Sequence, residues 1–245
     1  MKKITAALAL VALTATAASA NHTGFFLGVG AVTGSTTAKY SDTANSPASA
    51  AGNYYGQTNK VDMGKTMFGG RIEAGYGMTF AGSGYAAVSI YGTLLNTKLN
   101  FANSAQTVSQ NASTAQLKNT SNYGIEVKLG YHLTKDTVGF IGIAAEAGKY
   151  KLSWTESNIA ATSLRPTLTA SKTKVYAKPV IGLRTMFTKN LYLEAKYGYG
   201  FSNRVTLNVP NSATNLGAQS SNSGGRTVSF RPRTHEFSVT VGWRF

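Results

Sequence analysis

Apolar residues alternate one by one with small or polar residues in eight successive runs, and the connections between the runs alternate as well. The runs fall near residues 24–34, 66–79, 85–97, 122–134, 137–150, 173–187, 191–202 and 229–245. Connections near 80–84, 135–136 and 188–190 are a few residues each, whereas those near 35–65, 98–121, 151–172 and 203–228 are about 20 to 30 residues rich in Ser, Thr, Asn and Ala. A period of two belongs to a strand with one face against apolar material. In the fourth run Tyr123, Ile125, Val127, Leu129, Tyr131 and Leu133 oppose Gly124, Glu126, Lys128, Gly130 and His132. The seventh run sets Leu191, Leu193, Ala195, Tyr197, Tyr199 and Phe201 against Tyr192, Glu194, Lys196, Gly198 and Gly200. The eighth sets Phe237, Val239, Val241, Trp243 and Phe245 against Glu236, Ser238, Thr240 and Gly242. A soluble sandwich has no reason for strict short-long alternation, but a barrel crossing a bilayer does. The expectation is an all-β chain forming a single eight-stranded antiparallel up-and-down transmembrane β-barrel. Its short turns and both termini would be periplasmic and its long loops extracellular.

Composition narrows the compartment. The chain has 245 residues, enough for one all-β domain, and only 13% are charged, against about a quarter in soluble globular chains. There are no cysteines, so disulfides and thiolate metal sites are excluded. Residues 1–20 have the pattern of a cleaved secretory signal. Lys2 and Lys3 lead an apolar run, and Ala18-Ser19-Ala20 offers small residues for cleavage. The mature protein is expected to be 21–245, with Asn21 first. No later segment reaches the ~18 consecutive apolar residues of a spanning helix. Lys2 and Lys3 are two of the 24 basic residues, leaving 22 against nine acids, a net charge of about +13. An exported basic chain meets lipopolysaccharide phosphates and acidic sugars rather than nucleic acid.

Three segments carry a resemblance to a known group. They are Gly24-Phe25-Phe26-Leu27-Gly28-Val29-Gly30 in the first run, Lys178-Pro179-Val180-Ile181-Gly182 in the sixth, and the close from Phe237 to Phe245. The first two resemble strands one and six of the OmpA/OmpX and opacity-protein group of eight-stranded outer-membrane barrels. The third resembles the carboxyl-terminal signal read by the barrel-insertion machinery. The resemblance spans the whole mature chain and implies outer-membrane localisation, a filled lumen and a monomer. No periplasmic peptidoglycan-binding domain is expected beyond Phe245.

The charges carry the most information about the interior. Five of the nine acids have inward parity: Glu73, Glu126, Glu146, Glu194 and Glu236. Arg71, Lys128, Lys178, Arg184 and Lys196 share that parity, with Arg244 nearer the periplasmic rim. An eight-stranded barrel is only wide enough to be filled by its own side chains. Buried charges persist there when paired, because removing one partner costs ~3–5 kcal/mol. The balance of five against five therefore points to a salt-bridge plug rather than to a catalytic carboxylate or an ion path.

Other candidates are weaker. The order His235-Glu236-Phe237-Ser238 resembles the Ser/His/Glu set on the last strands of some outer-membrane lipid A deacylases. Positions 235 and 238 have opposite parity, however, while a nucleophile and its base must lie within ~3 Å. His22 adjoins the mature terminus and His132 lies at the inward end of a run near a turn. Gly28, Gly30 and Gly34 lack the following helix of a dinucleotide loop; they are expected to leave room for charged side chains. Asn-x-Thr/Ser triplets at Asn21, Asn111 and Asn119 are products of a biased composition. Phe237, Val239, Val241, Trp243 and Phe245, with Phe187 and Tyr131, suit an aromatic girdle. Lys174, Arg231 and Arg233 are candidate contacts for lipopolysaccharide phosphates. In the fifth run Tyr150, Leu152 and Trp154 would continue inward unless a bulge intervenes.

No enzyme, metal or organic cofactor is implied. The expected function is that of a surface protein serving envelope integrity, with loops that contact lipopolysaccharide, host surfaces or neighbouring cells. The alternatives are a narrow porin-like channel and a lipid A-modifying enzyme.

Overall fold

The computed structural model describes residues 22–44, 59–103, 111–158, 167–209 and 226–245; the expected signal segment 1–20 lies outside them. The described residues form strands β1 (Gly24–Ala44), β2 (Asn59–Phe80), β3 (Gly84–Asn103), β4 (Asn111–His132), β5 (Thr137–Asn158), β6 (Leu168–Met186), β7 (Leu191–Phe201), β8 (Val205–Val209) and β9 (Arg226–Arg244). Each neighbouring pair is antiparallel, and β1 pairs with β9 to close the sheet. β7 and β8 pair with successive stretches of β9. They form one interrupted stave, so the closed barrel has eight. The break at residues 202–204 lies beside Pro232 of β9, which has no N–H to give the ladder; the Ser202 amide donates to the Pro232 carbonyl instead, at 3.1 Å.

The staves are longer than the alternation in the most apolar runs suggests. β1 to β6 have 19 to 22 residues, roughly twice the 9–11 a tilted strand needs to cross a bilayer. Much of 35–65, 98–121 and 151–172, expected as loop, is therefore strand standing beyond the apolar band. The pattern persists there with polar residues outward and Ala38, Tyr40, Leu99, Phe101, Ala115 and Leu117 buried. Tyr150, Leu152 and Trp154 continue inward without a bulge in β5. The bulge lies on its neighbour: β4 pairs through Asn119↔Tyr150 and then Ser121↔Lys149, leaving Thr120 as an extra residue. Below Thr120 the even residues of β4 face inward, including Asn122, Glu126 and Lys128; above it the odd ones do.

The short turns are locally specified. Ala81 and Gly82 both have positive φ, 47° and 76°. The two other turns share a Thr-Lys-Asp/Asn pattern. Thr134 Oγ1 accepts from the Asp136 and Thr137 amides, and Thr188 Oγ1 accepts from those of Asn190 and Leu191.

Inside, side chains are layered along the axis. Phe26, Tyr85, Val138, Phe140, Met186 and Tyr192 cluster at the turn end. A larger cluster, including Tyr40, Phe101, Trp154, Leu152 and Phe230, closes the opposite end. Outside, Phe25, Leu27, Ile72, Ile125, Leu129, Ile141 and Ile181 stand exposed, an apolar band whose only suitable solvent is lipid.

Candidate functional site

The ten charged residues singled out by parity occupy the space between the two apolar layers, and all are buried. They come from β2, β4, β5, β6, β7 and β9. Glu194 of β7 takes Lys128 Nζ at 2.6 Å, Arg184 Nη2 at 2.6 Å and Lys196 Nζ at 3.2 Å. Glu126 takes Lys196 at 2.9 Å, Arg71 at 3.1 Å and Lys128 at 3.3 Å. Glu73 takes Arg71 and Lys196, each at 3.2 Å. Lys178 bridges Glu146 and Glu236, the second at 3.1 Å. Arg71 Nη1 reaches Glu236 at 3.6 Å, joining this upper pair to the larger cluster below. Each of the five carboxylates touches at least one base and each of the five bases at least one carboxylate, so none of these ten charges is left uncompensated.

Tyrosines supply partners that parity alone did not assign. Glu146 accepts from Tyr91 Oη at 2.6 Å, Asn122 Nδ2 at 2.7 Å and Tyr176 Oη. Arg184 donates to Tyr85 Oη at 2.8 Å and lies over the Phe26 and Tyr192 rings, 4.1 and 4.4 Å from their centroids. The Arg71 guanidinium sits 3.6 Å from the Tyr91 centroid. Cation–π contact suits these bases because the face of a neutral aromatic ring carries the negative lobe of its quadrupole, and the attraction strengthens where water is excluded. The inward glycines serve the rings more than the charges. A Cβ on Gly242 would lie 2.2 Å from the Tyr192 ring, and one on Gly28 would lie 2.6 Å from its hydroxyl. Gly28 thus belongs to a packed strand, not to a phosphate-binding loop.

The turn-side mouth carries a second closure. His22 is buried edge-on against Tyr85 and His132, with centroids 5.8 and 4.9 Å away. Burial, then the neighbouring His132 and Arg184 charges, hold its imidazole down to about 3. Arg244 Nη1 donates to the Thr23 carbonyl at 3.2 Å and Nη2 to that of Lys189, tying the amino-terminal segment and a turn to the end of β9.

His235 is exposed and contacts Tyr197 Oη at 2.6 Å through Nδ1, whereas Ser238 is buried in the lumen. The two are on opposite sides of the wall. Phe237, Val239, Val241, Trp243 and Phe245 share the outer face, the last three exposed. Arg231 and Arg233 are exposed on that face, beyond His235. Lys174, the third candidate contact for lipopolysaccharide phosphates, is placed differently. It has the parity of Tyr176 and Lys178, lies opposite Gly148 of β5 and is half-buried, so it stands on the inner side of the wall.

A closed antiparallel barrel with an apolar exterior and a neutralised interior defines a membrane-spanning β-barrel. The chain belongs to the family described as outer membrane protein beta-barrel domain, which it matches over residues 5–245. It is therefore a bacterial outer-membrane barrel protein. Among solved structures it is similar to the outer membrane protein OprG from Pseudomonas aeruginosa, with 11% identity, a TM-score of 0.54, and coverage of 94% of this chain and 99% of that one. It is also similar to Ail, the attachment invasion locus protein of Yersinia pestis, crystallised with the heparin analogue sucrose octasulfate. There the identity is 12%, the TM-score 0.37, and coverage 89% of this chain and 99% of the other. Neisserial surface protein A matches at 14% identity and a TM-score of 0.35, over 91% of this chain and 97% of its own. No curated protein matches the chain significantly.

Proposed function

We propose that this barrel is a non-enzymatic surface protein of the outer membrane, with a lumen closed to solutes and a role in envelope integrity and outer-loop contacts. The carrying observation is the lumen. Ten buried charges neutralise one another between two apolar clusters, a construction that supports the reading of a lumen filled by its own side chains. The extended staves favour the same reading, since they lift the outer rim well clear of the bilayer, where it meets other surfaces. Export with removal of residues 1–20, and recognition of the segment from Phe237 to Phe245 by the insertion machinery, belong to this proposal. So do lipopolysaccharide contacts by Arg231 and Arg233, which face outward beyond the apolar band.

The decisive experiment is single-channel recording of the purified protein in planar bilayers. The expected record is flat, for the wild type and for the charge-paired variant Glu126→Gln/Lys128→Met. Steady, large currents from the wild type would refute the closed lumen and favour a narrow channel. The envelope role predicts that deleting the protein raises detergent sensitivity, restored by the full chain. A lipid A-modifying enzyme would instead change the lipid A of the expressing cell, with the change lost in His235→Ala.

A further inference from the structure

The outer wall of β3, β4 and β5 combines two features that other uses of the barrel leave unexplained. Lys98, Lys118 and Lys151 are all exposed and face outward. They are direct ladder partners, Lys98↔Lys118 and Lys118↔Lys151, so three cations stand side by side across three strands. Like charges directly opposite one another destabilise a sheet. Among the described residues, no carboxylate lies within salt-bridge distance of any of the three. Lys149, also exposed and outward, adds a fourth charge one outward position nearer the membrane.

Directly below, the same wall carries an apolar groove of about 520 Å³. Its lining includes the small residues Ala74, Gly92, Ala145 and Ala147, with Ile72 and Val175 at the sides. Four of these form one cross-sheet row with Tyr123: Ile72↔Gly92↔Tyr123↔Ala147↔Val175. On β5 the cation row is four residues above Ala147, or about 14 Å along the strand at the usual rise of 3.4 Å per residue. Lys149 falls midway. A row of cations above a small-residue groove in a lipid-facing wall matches a molecule with phosphates at one end and acyl chains at the other.

We propose that this wall is a binding site for one molecule of a phosphorylated, multiply acylated glycolipid, the lipid A end of lipopolysaccharide. Lys98, Lys118, Lys149 and Lys151 hold the phosphates, and an acyl chain fills the groove beneath them. The site rests on the reading of the chain as an outer-leaflet surface protein and names a ligand for a part of the wall distinct from Arg231 and Arg233. Phosphate also resolves the local repulsion, because one dianion between adjacent lysines turns a like-charge row into alternating contacts.

The test uses the full-length protein in nanodiscs containing bisphosphorylated lipid A, its dephosphorylated form or phosphatidylglycerol, with bound lipid read by native mass spectrometry. The variants are Lys98→Gln/Lys118→Gln/Lys151→Gln, the single Lys118→Gln at the centre of the row, and Gly92→Phe. A Cβ at Gly92 meets only Ile72, at 3.8 Å, so the phenyl ring can enter the groove without disturbing the wall. Heat-dependent gel migration verifies that each variant is folded. Wild type should retain bisphosphorylated lipid A about tenfold over the dephosphorylated form, from three to four exposed charge contacts. The triple variant should lose that preference and Lys118→Gln part of it, while Gly92→Phe should bind more weakly with the preference kept. Equal retention by the triple variant and wild type, or equal competition by phosphatidylglycerol, would overturn the site. Conductance of the same variants separates the two readings. A closed lumen without lipid A preference refutes the site alone, and an open lumen with the preference intact supports the site while refuting the closed barrel.

Discussion

Neutralising Glu194 tests how the lumen is held. Its carboxylate faces Lys128 and Arg184, each at 2.6 Å, and Lys196 at 3.2 Å, all with side chains at most 3% exposed. Glu194→Gln keeps the volume but leaves five bases facing four acids in a space without bulk water. Breaking one buried pairing from one side should cost about 3–5 kcal/mol. Lys128→Met should cost a similar amount for the opposite reason, because Glu194 and Glu126 then lose a shared base. The double variant restores the balance at four against four. It should be no less stable than the worse single, a coupling of about 3 kcal/mol, the upper end for contacting residues. Urea unfolding in phospholipid vesicles, followed by the fluorescence of Trp154 and Trp243 together with heat-dependent gel migration, measures all three. Singles within about 0.5 kcal/mol of wild type, or a strictly additive double, would refute the argument that mutual neutralisation stabilises the interior.

Trp154 is fully buried in the outer apolar plug, so Trp154→Ala should cost about 3–5 kcal/mol; the same unfolding assay, read by Trp243, checks it. Ala81 occupies the left-handed region at φ 47°, and Ala81→Gly should stabilise the first turn by about 1 kcal/mol, measured as a higher urea midpoint. His22 is held neutral when docked, near 3, against about 6.5 when free. The free state therefore gains the proton first, and docking weakens as pH falls below about 6.5. At pH 5 the loss is about 2 kcal/mol. In protein prepared to begin at Asn21, aminopeptidase trimming should accelerate from pH 7 to pH 5, and that acceleration should vanish in His22→Phe.

Parity made the eight staves and the sides of the luminal charges legible, because a one-residue offset moves a side chain to the other face of a strand. Lys174 shows the same rule unapplied: its even number groups it with Lys178, and its inner position follows. Strand length was harder to read. Beyond the bilayer the outward residues are Ser, Thr, Asn and Lys, as they would be in a loop, and only sparse inward residues such as Tyr40, Phe101 and Trp154 betray the continuing ladder. The bulge at Thr120 lies in Asn119-Thr120-Ser121-Asn122, where no apolar contrast marks the change of phase. The tyrosines around Glu146 come from β3 and β6, and their convergence depends on curvature across the barrel, which a linear pattern does not encode.

The luminal network also constrains how the protein can be assembled. Lys128 meets Glu194 across 66 positions of chain, and Lys196 meets Glu73 across 123. Among the described residues eight of the luminal ion pairs join strands that are not consecutive, whereas five lie within one strand or one hairpin. A hairpin entering hydrocarbon alone would keep its local pairs but lose these cross-barrel partners, so stepwise insertion of single β-hairpins is disfavoured. The sheet must curl on itself while its inner face is still wet, and the seam between β1 and β9 then seals as the last water leaves.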